Sequence, residues 1–202
     1  MIAVVDYGVG NLFSLRSSLS YIGEKAIVTS RKEELLGADR IILPGVGAFG
    51  DAVKKLRESG LFDMVKTCAE SGKPLLGICL GMQLLFDKSY EFGEHDGLGL
   101  VSGEVRYLGD VAGDRKIPQI GWNALDFTKE SPLFKYIKNG DHVYFVHSYY
   151  ATKCDDSVIA TCEYGYPVTA SVQNKNVFGC QFHPEKSGET GLKILKAFCE
   201  LK

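Results

Sequence analysis

The segment PLLGICLGMQ, residues 74–83, decides the fold. Pro74–Ile78 reads as a strand buried on both faces, because it is a short apolar run bounded by turn residues. Leu80–Phe86 reads as the helix that follows. Gly77-Ile78-Cys79-Leu80-Gly81 is then a strand-to-helix elbow with a cysteine at its tip. The glycines have a steric reason, since so sharp a turn brings backbones together and leaves no space for side chains. Such a turn puts the sulfur at the carboxyl edge of the sheet, where α/β sites form. It also puts it at a helix N-terminus, whose partial positive charge favours thiolate. A buried structural thiol in a glycine-flanked turn is the plain alternative.

Upstream, IAVVDYG (2–8) is another apolar run ending in Gly, and Lys25–Thr29 and Arg40–Leu43 read as further strands. Asn11–Tyr21 sets Leu12, Leu15, Leu19 and Ile22 on one helical face, with Gly23 as the stop. Arg31–Leu36 suits a short helix. Pro44–Gly50 reads as a loop, and from Asp51, a natural N-cap, two helices run to about Ser71. Strands alternating with helices predict a parallel sheet covered on both faces.

Downstream the pattern changes. Gly99–Leu108, Ile117–Phe127, His142–Ala151, Val158–Glu163, Val168–Gln173 and Val177–Phe182 read as strands, with a helix at Pro132–Lys138 and another at Gly188–Leu201. This half is β-rich and partly antiparallel. No linker, repeat or low-complexity stretch interrupts the chain, so one domain over 1–202 is the simplest account.

Two further motifs carry chemistry. His183-Pro184-Glu185 leaves the strand 177–182, and residues two apart in an extended segment point to one side, so Glu185 can stand behind His183. A carboxylate there fixes the imidazole tautomer and stabilises the imidazolium. Paired with a cysteine elbow, His183 reads as acid–base partner. Gly45-Val46-Gly47 matches neither a dinucleotide fingerprint nor a P-loop. Its Val46 and Gly47 amides, with that of Leu80, suit an oxyanion hole. Gln83 lies one helical turn past Cys79, facing substrate or solvent. His95 reads as part of an exposed loop, His142 as surface and His147 as structural. Trp122, the single Trp, suits either the core or an interface.

The bulk numbers exclude several classes. A net charge of −2 gives no basic nucleic-acid footprint. No apolar run approaches the ~18–20 residues that cross a bilayer. The start, MIAVV, meets Asp6 and lacks a basic leader, so it reads as a strand and the protein as cytoplasmic. The six cysteines (68, 79, 154, 162, 180, 199) form no CxxC pair, and no metal site is expected.

The motifs GICLGMQ (77–83), PGVGAFG (44–50) and FHPEKSG (182–188) resemble those of class I, triad-type glutamine amidotransferases, over essentially the whole chain. VDYGVGNLFSL, KIPQIGWNAL (116–125), VHSYY and the Lys after HPE resemble one branch, the glutaminase subunits of imidazole glycerol phosphate synthase in histidine biosynthesis. One departure is Gln119, where that branch usually has His. The resemblance implies a flavodoxin-like, mostly parallel sheet and hydrolysis of L-glutamine to glutamate and ammonia through a cysteine thioester, without a cofactor. It implies a heterodimer with a (β/α)8-barrel cyclase subunit. There, ammonia and a phosphoribulosyl nucleotide would give imidazole glycerol phosphate and aminoimidazole carboxamide ribotide. It assigns Cys79, His183 and Glu185 to the triad. Gly47, Gln83, Ser148 and Tyr149 would hold glutamine, and Asn11, Trp122, Tyr144 and Lys186 would face the cyclase. The competing readings are a paralogous glutaminase feeding another synthase, a free-standing γ-glutamyl or amide hydrolase, and a non-catalytic module on the same fold.

Overall fold

The computed structural model describes residues 1–202. The first half runs β1 (Ile2–Val5), α1 (Leu12–Tyr21), β2 (Ala26–Thr29), α2 (Lys32–Gly37), β3 (Arg40–Leu43), α3 (Phe49–Glu58), α4 (Phe62–Glu70), β4 (Leu75–Ile78) and α5 (Leu80–Gln83). The second half runs β5 (Phe86–Ser89), β6 (His95–Asp96), β7 (Val101–Tyr107), β8 (Gln119–Ala124), β9 (Asp126–Phe127), β10 (His142–His147) and β11 (Tyr149–Thr152). It ends with β12 (Val158–Glu163), β13 (Pro167–Asn174), β14 (Val177–Cys180) and α6 (Gly188–Cys199).

Eight strands form the main sheet in the order β2-β1-β3-β4-β14-β13-β12-β9. The first five are mutually parallel, and β13, β12 and β9 extend them antiparallel. This is the parallel sheet that the alternating pattern predicts, in the flavodoxin-like arrangement that the resemblance implies. Alternation along the strands builds two cores. Ala3, Val5, Ile41, Leu43 and Leu75 face one side, with Leu56 and Phe62 of α3 and α4. Ile2, Val4, Ile42, Leu76 and Ile78 face the other, with Leu15 and Leu19 of α1 and Ile194, Leu195 and Phe198 of α6. Each fully buried Leu or Ile stabilises the fold by roughly 1.5–3 kcal/mol. Two smaller sheets, β10-β8 and β11-β7-β5-β6, stand beside the carboxyl edge.

Several predicted boundaries move. The helix expected from Asp51 starts at Phe49, inside the expected loop, because its first amide is capped by the Glu91 carboxylate from 42 residues downstream at 2.6 Å. Local sequence carries no trace of such a cap. The helix expected over Leu80–Phe86 stops at Gln83. The Leu84 and Leu85 carbonyls accept from Leu98 and Leu100, and Phe86 opens a strand. A fully buried apolar run of this length does not distinguish helix from strand by periodicity. The strand expected over His142–Ala151 breaks at Ser148, whose carbonyl accepts from Leu108, and its halves join different sheets. The strand over Ile117–Phe127 splits at Leu125 between two sheets, and the helix expected at Pro132–Lys138 is only a 3-10 turn, Pro132–Phe134. His95 is half-buried in β6 against α3, where a Cβ on Gly50 would lie 2.8 Å from its ring, so it is not in an exposed loop. No helix is long and apolar enough to cross a membrane.

Candidate active site

β4 and β14 are parallel neighbours with Ile78 opposite Cys180, so both chains leave the sheet at the same edge. Cys79 follows one and His183 the other. The Cys79 amide donates to the Cys180 carbonyl at 2.7 Å, tying the elbow to the neighbouring strand. Cys79 has φ 54° and ψ −112°, a conformation that L-residues avoid. The flanking glycines are required by space. A Cβ on Gly81 would lie 1.9 Å from the Leu43 carbonyl oxygen, and one on Gly77 would lie 2.6 Å from that of Gly81. The helix beyond the elbow has only four residues, so the expected helix-end field reduces to the free amides of one turn.

His183 is almost fully buried. Its main chain is held by donation to the Tyr144 carbonyl at 2.9 Å and by the Ser187 hydroxyl at 2.6 Å on its own carbonyl. Nδ1 lies 2.8 Å from Glu185 Oε1. The expected extended geometry is not how the two meet. Pro184–Lys186 is a 3-10 turn with proline in first position, and it curls the carboxylate back beneath the ring. Nε2 has no hydrogen-bond partner of normal geometry. Burial pulls the imidazole pKa down, but the Cys79 sulfur and the Glu185 carboxylate outweigh it and push it up to about 9. At neutral pH the ring is therefore an imidazolium beside the sulfur.

A cleft of about 410 Å³ opens over the elbow. It brings together Cys79, His183, Val46, Gly47, Leu80, Gln83, Ser148, Tyr149 and Lys186 from the residues that the sequence singles out. Gly47 takes φ 95°, which glycine adopts without strain, and Tyr7 steadies the loop by donating to the Pro44 carbonyl at 2.8 Å. Asn11 caps α1 by accepting from Ser14 and lies behind His183 and Glu185 in a separate small cleft. Trp122 and Tyr144 are opposite one another across β8 and β10, ring centroids 6.0 Å apart, outside the cleft. Trp122 is 53% exposed, which excludes a core role.

The cleft also contains Glu91, which the sequence does not single out, and His147, expected as a structural histidine. Glu91, which caps α3, lines the cleft with His183 and has its carboxyl pKa raised by burial. It lies in the EFGEHDG stretch, where nothing local distinguishes it. His147 is buried, with Nδ1 2.9 Å from the Tyr149 carbonyl and Nε2 unpartnered. Gln119, the departure noted above, is fully buried and uses its amide on Asn123 and Cys162. All six cysteines are buried free thiols.

The family model for glutamine amidotransferase class-I matches residues 3–201. The chain is 52% identical over 202 residues to the imidazole glycerol phosphate synthase subunit HisH of Caldanaerobacter subterraneus subsp. tengcongensis, covering 100% of this chain and 98% of that one. It is 50% identical to the subunit of the same name from Wolinella succinogenes, covering 100% of both. Among solved structures, a glutamine amidotransferase superposes with TM-score 0.76 at 22% identity, over 98% of this chain and 100% of that one. PurLQS from Thermotoga maritima gives TM-score 0.72 at 23%, over 98% and 96%. Identities this low speak for the fold alone, whereas the family match and the full-length relatives settle kinship: the chain belongs to the class-I glutamine amidotransferase family.

Proposed function

We propose that the chain, as one amidotransferase domain over 1–202, hydrolyses L-glutamine with Cys79 as nucleophile, His183 as acid–base and Glu185 as its orienter. The observation that carries this reading is the meeting of a strained Cys79 elbow with a buried His183–Glu185 pair over one cleft. The sulfur attacks the side-chain carbonyl carbon of glutamine, and the carbonyl π pair moves to oxygen. The amides of Val46, Gly47 and Leu80 receive that oxyanion. Imidazolium His183 gives its proton to the amide nitrogen as the C–N bond breaks, and ammonia leaves a thioester. Neutral His183 then takes a proton from water, which attacks the thioester and releases glutamate. Gly47, Gln83, Ser148 and Tyr149 hold the substrate, and the Glu91 carboxylate suits its α-ammonium.

Free ammonia is protonated in neutral water and then cannot attack. A glutaminase of this size therefore serves synthesis when docked on an acceptor enzyme. The full-length similarity to subunits of imidazole glycerol phosphate synthase supports a cyclase subunit of histidine biosynthesis as that partner. We assign it a (β/α)8 barrel, bound through the face holding Asn11, Trp122, Tyr144 and Lys186, in the cytoplasm. The test is glutamate release from glutamine by the purified chain, alone and with the barrel cyclase and its ribonucleotide ligand. A many-fold rise with cyclase and ligand is the expected result. High activity alone, indifferent to the cyclase, would move the protein to a free-standing amidase. No activity in either condition would remove the glutaminase reading.

A further inference from the structure

A single carbonyl fixes the polarity of a buried hydrogen-bond chain that ends on the Cys79 sulfur. The Tyr149 carbonyl oxygen can only accept. Two groups reach it, His147 Nδ1 at 2.9 Å and Gln83 Nε2 at 3.0 Å, so both must donate. His147 is thereby the Nδ1–H tautomer when neutral. Gln83 has its NH2 end at Tyr149, and the second hydrogen of that group meets Gln181 Oε1 at 3.0 Å. Gln181 must then present its own NH2 on the far side, where Nε2 stands 3.8 Å from Cys79 Sγ. The flipped Gln181 amide would set two NH2 groups against each other and turn its oxygen toward the sulfur, which is repulsive twice over. Gln83 is 4% exposed and Gln181 is fully buried, so water does not compete for these groups.

We propose that Gln181 is a catalytic residue that donates its side-chain N–H to the Cys79 thiolate, locked in that orientation by Gln83 and the Tyr149 carbonyl. The proposal rests on the reading of Cys79 as nucleophile and deepens it. A neutral thiol accepts weakly, whereas an N–H aimed at an anion forms a charge-assisted bond, so the contact favours the ionised sulfur. The residue is held in place, because the Gln181 backbone N–H donates to the Ala170 carbonyl at 2.9 Å. The same strand exit therefore supplies both the sulfur's donor and, two residues on, its acid–base partner. The side chain makes these two contacts and no others, which leaves it no separate structural task.

The test reads the sulfur directly. Iodoacetamide alkylation of Cys79 is followed against pH by peptide mapping in the wild type and in Gln181→Met, which keeps length and burial but has no donor. The other five thiols do not interfere, since burial raises them all, Cys154 to about 11 and Cys162, Cys180 and Cys199 to about 12. In Gln181→Met alkylation on the rising part of the pH profile should slow roughly tenfold while the high-pH limit stays unchanged. The acid limb of kcat/KM should move with that rising part. Gln83→Met keeps the donor but frees its orientation, and it should shift the titration the same way by less. A folded Gln181→Met with the wild-type alkylation profile overturns the proposal. If that variant does not fold, an unshifted profile in Gln83→Met overturns it. Retained turnover in Cys79→Ser would instead sink the nucleophile reading, whatever the thiol titration shows.

Discussion

Glu185 Oε1 lies 2.8 Å from His183 Nδ1, and the two side chains are 3% and 2% exposed, so little solvent screens the pair. The carboxylate both aims the ring and holds its proton. Glu185→Gln keeps an acceptor oxygen for Nδ1–H but removes the charge. Turnover should therefore fall less in Glu185→Gln than in His183→Ala, where losing the acid–base costs on the order of 10²–10⁴-fold. The pKa of His183, held up to about 9 by Cys79 and Glu185 against burial, should drop in the variant. The alkaline limb of kcat/KM, where the imidazolium loses the proton it must give to ammonia, should then move to lower pH. A limb that stays in place would separate Glu185 from His183 chemically.

Cys79 holds φ 54°, which only glycine tolerates freely. Cys79→Ala and Cys79→Ser should abolish glutaminase activity while keeping the fold. Cys79→Gly should be as inactive but more stable than Cys79→Ala, by about 1 kcal/mol, since it removes the strain of the elbow. Equal unfolding midpoints for the Gly and Ala variants in urea would show the elbow to be relaxed, and turnover in any of the three would remove Cys79 from its role.

How much of this was legible beforehand depends on the range of the interaction. The elbow, the parallel core and the His-Pro-Glu exit were readable because strands and tight turns are written in neighbouring residues. The start of α3 was not, because its cap is Glu91, 42 residues away. Nor was the stop at Gln83, because the Leu84 and Leu85 carbonyls accept from Leu98 and Leu100, in the segment that leads into β7. The mutual approach of His183 and Glu185 was expected from extended geometry and is produced by a 3-10 turn. The two side chains meet as expected, through a different backbone conformation. Gln181 escaped notice because its meaning lies in a network that closes over three separate segments, 79–83, 147–149 and 181.

Glu91 faces the cleft while accepting from the Phe49 amide at 2.6 Å. Its two tasks separate in Glu91→Gln, which keeps an oxygen for the cap and loses the charge. The variant should raise KM for glutamine at least tenfold, with kcat changed far less, because an ion pair to the α-ammonium binds ground and transition states alike. Glutaramic acid, which lacks the α-amino group, should bind wild type and variant equally as an inhibitor. A glutamine KM unchanged in Glu91→Gln would assign the residue to the helix cap alone.

Burial lowers the His147 pKa from 6.5 to about 4, partly opposed by its bond to the Tyr149 carbonyl and reinforced by His183. The folded state therefore resists a proton that the unfolded chain accepts. His147 penalises nothing above pH 6.5, and stability is lost as pH falls from 6.5 toward 4. Between pH 7 and 5 the cost is about 2 kcal/mol. Urea unfolding of His147→Asn should show an acid slope shallower than the wild type's by that amount. Parallel slopes would mean that the ring takes up a proton in the folded protein above pH 5.

Trp122 and Lys186 test the docking face without touching the core. Trp122 is 53% exposed and stacks edge-on with Tyr144, while Lys186 is exposed at the mouth of the cleft. Truncating either should change stability by no more than about 0.5 kcal/mol, as for exposed positions generally. An aromatic anchor and a cation beside the cleft would instead contribute where the partner covers them. Trp122→Ala and Lys186→Ala should therefore leave the unfolding midpoint unchanged, along with basal glutamate release by the isolated chain. Both should lower the stimulation by cyclase plus ribonucleotide at least tenfold, and Trp122→Ala should also weaken the heterodimer itself in a titration of cyclase. Stimulation at the wild-type level in both variants would mean that the acceptor docks on another face.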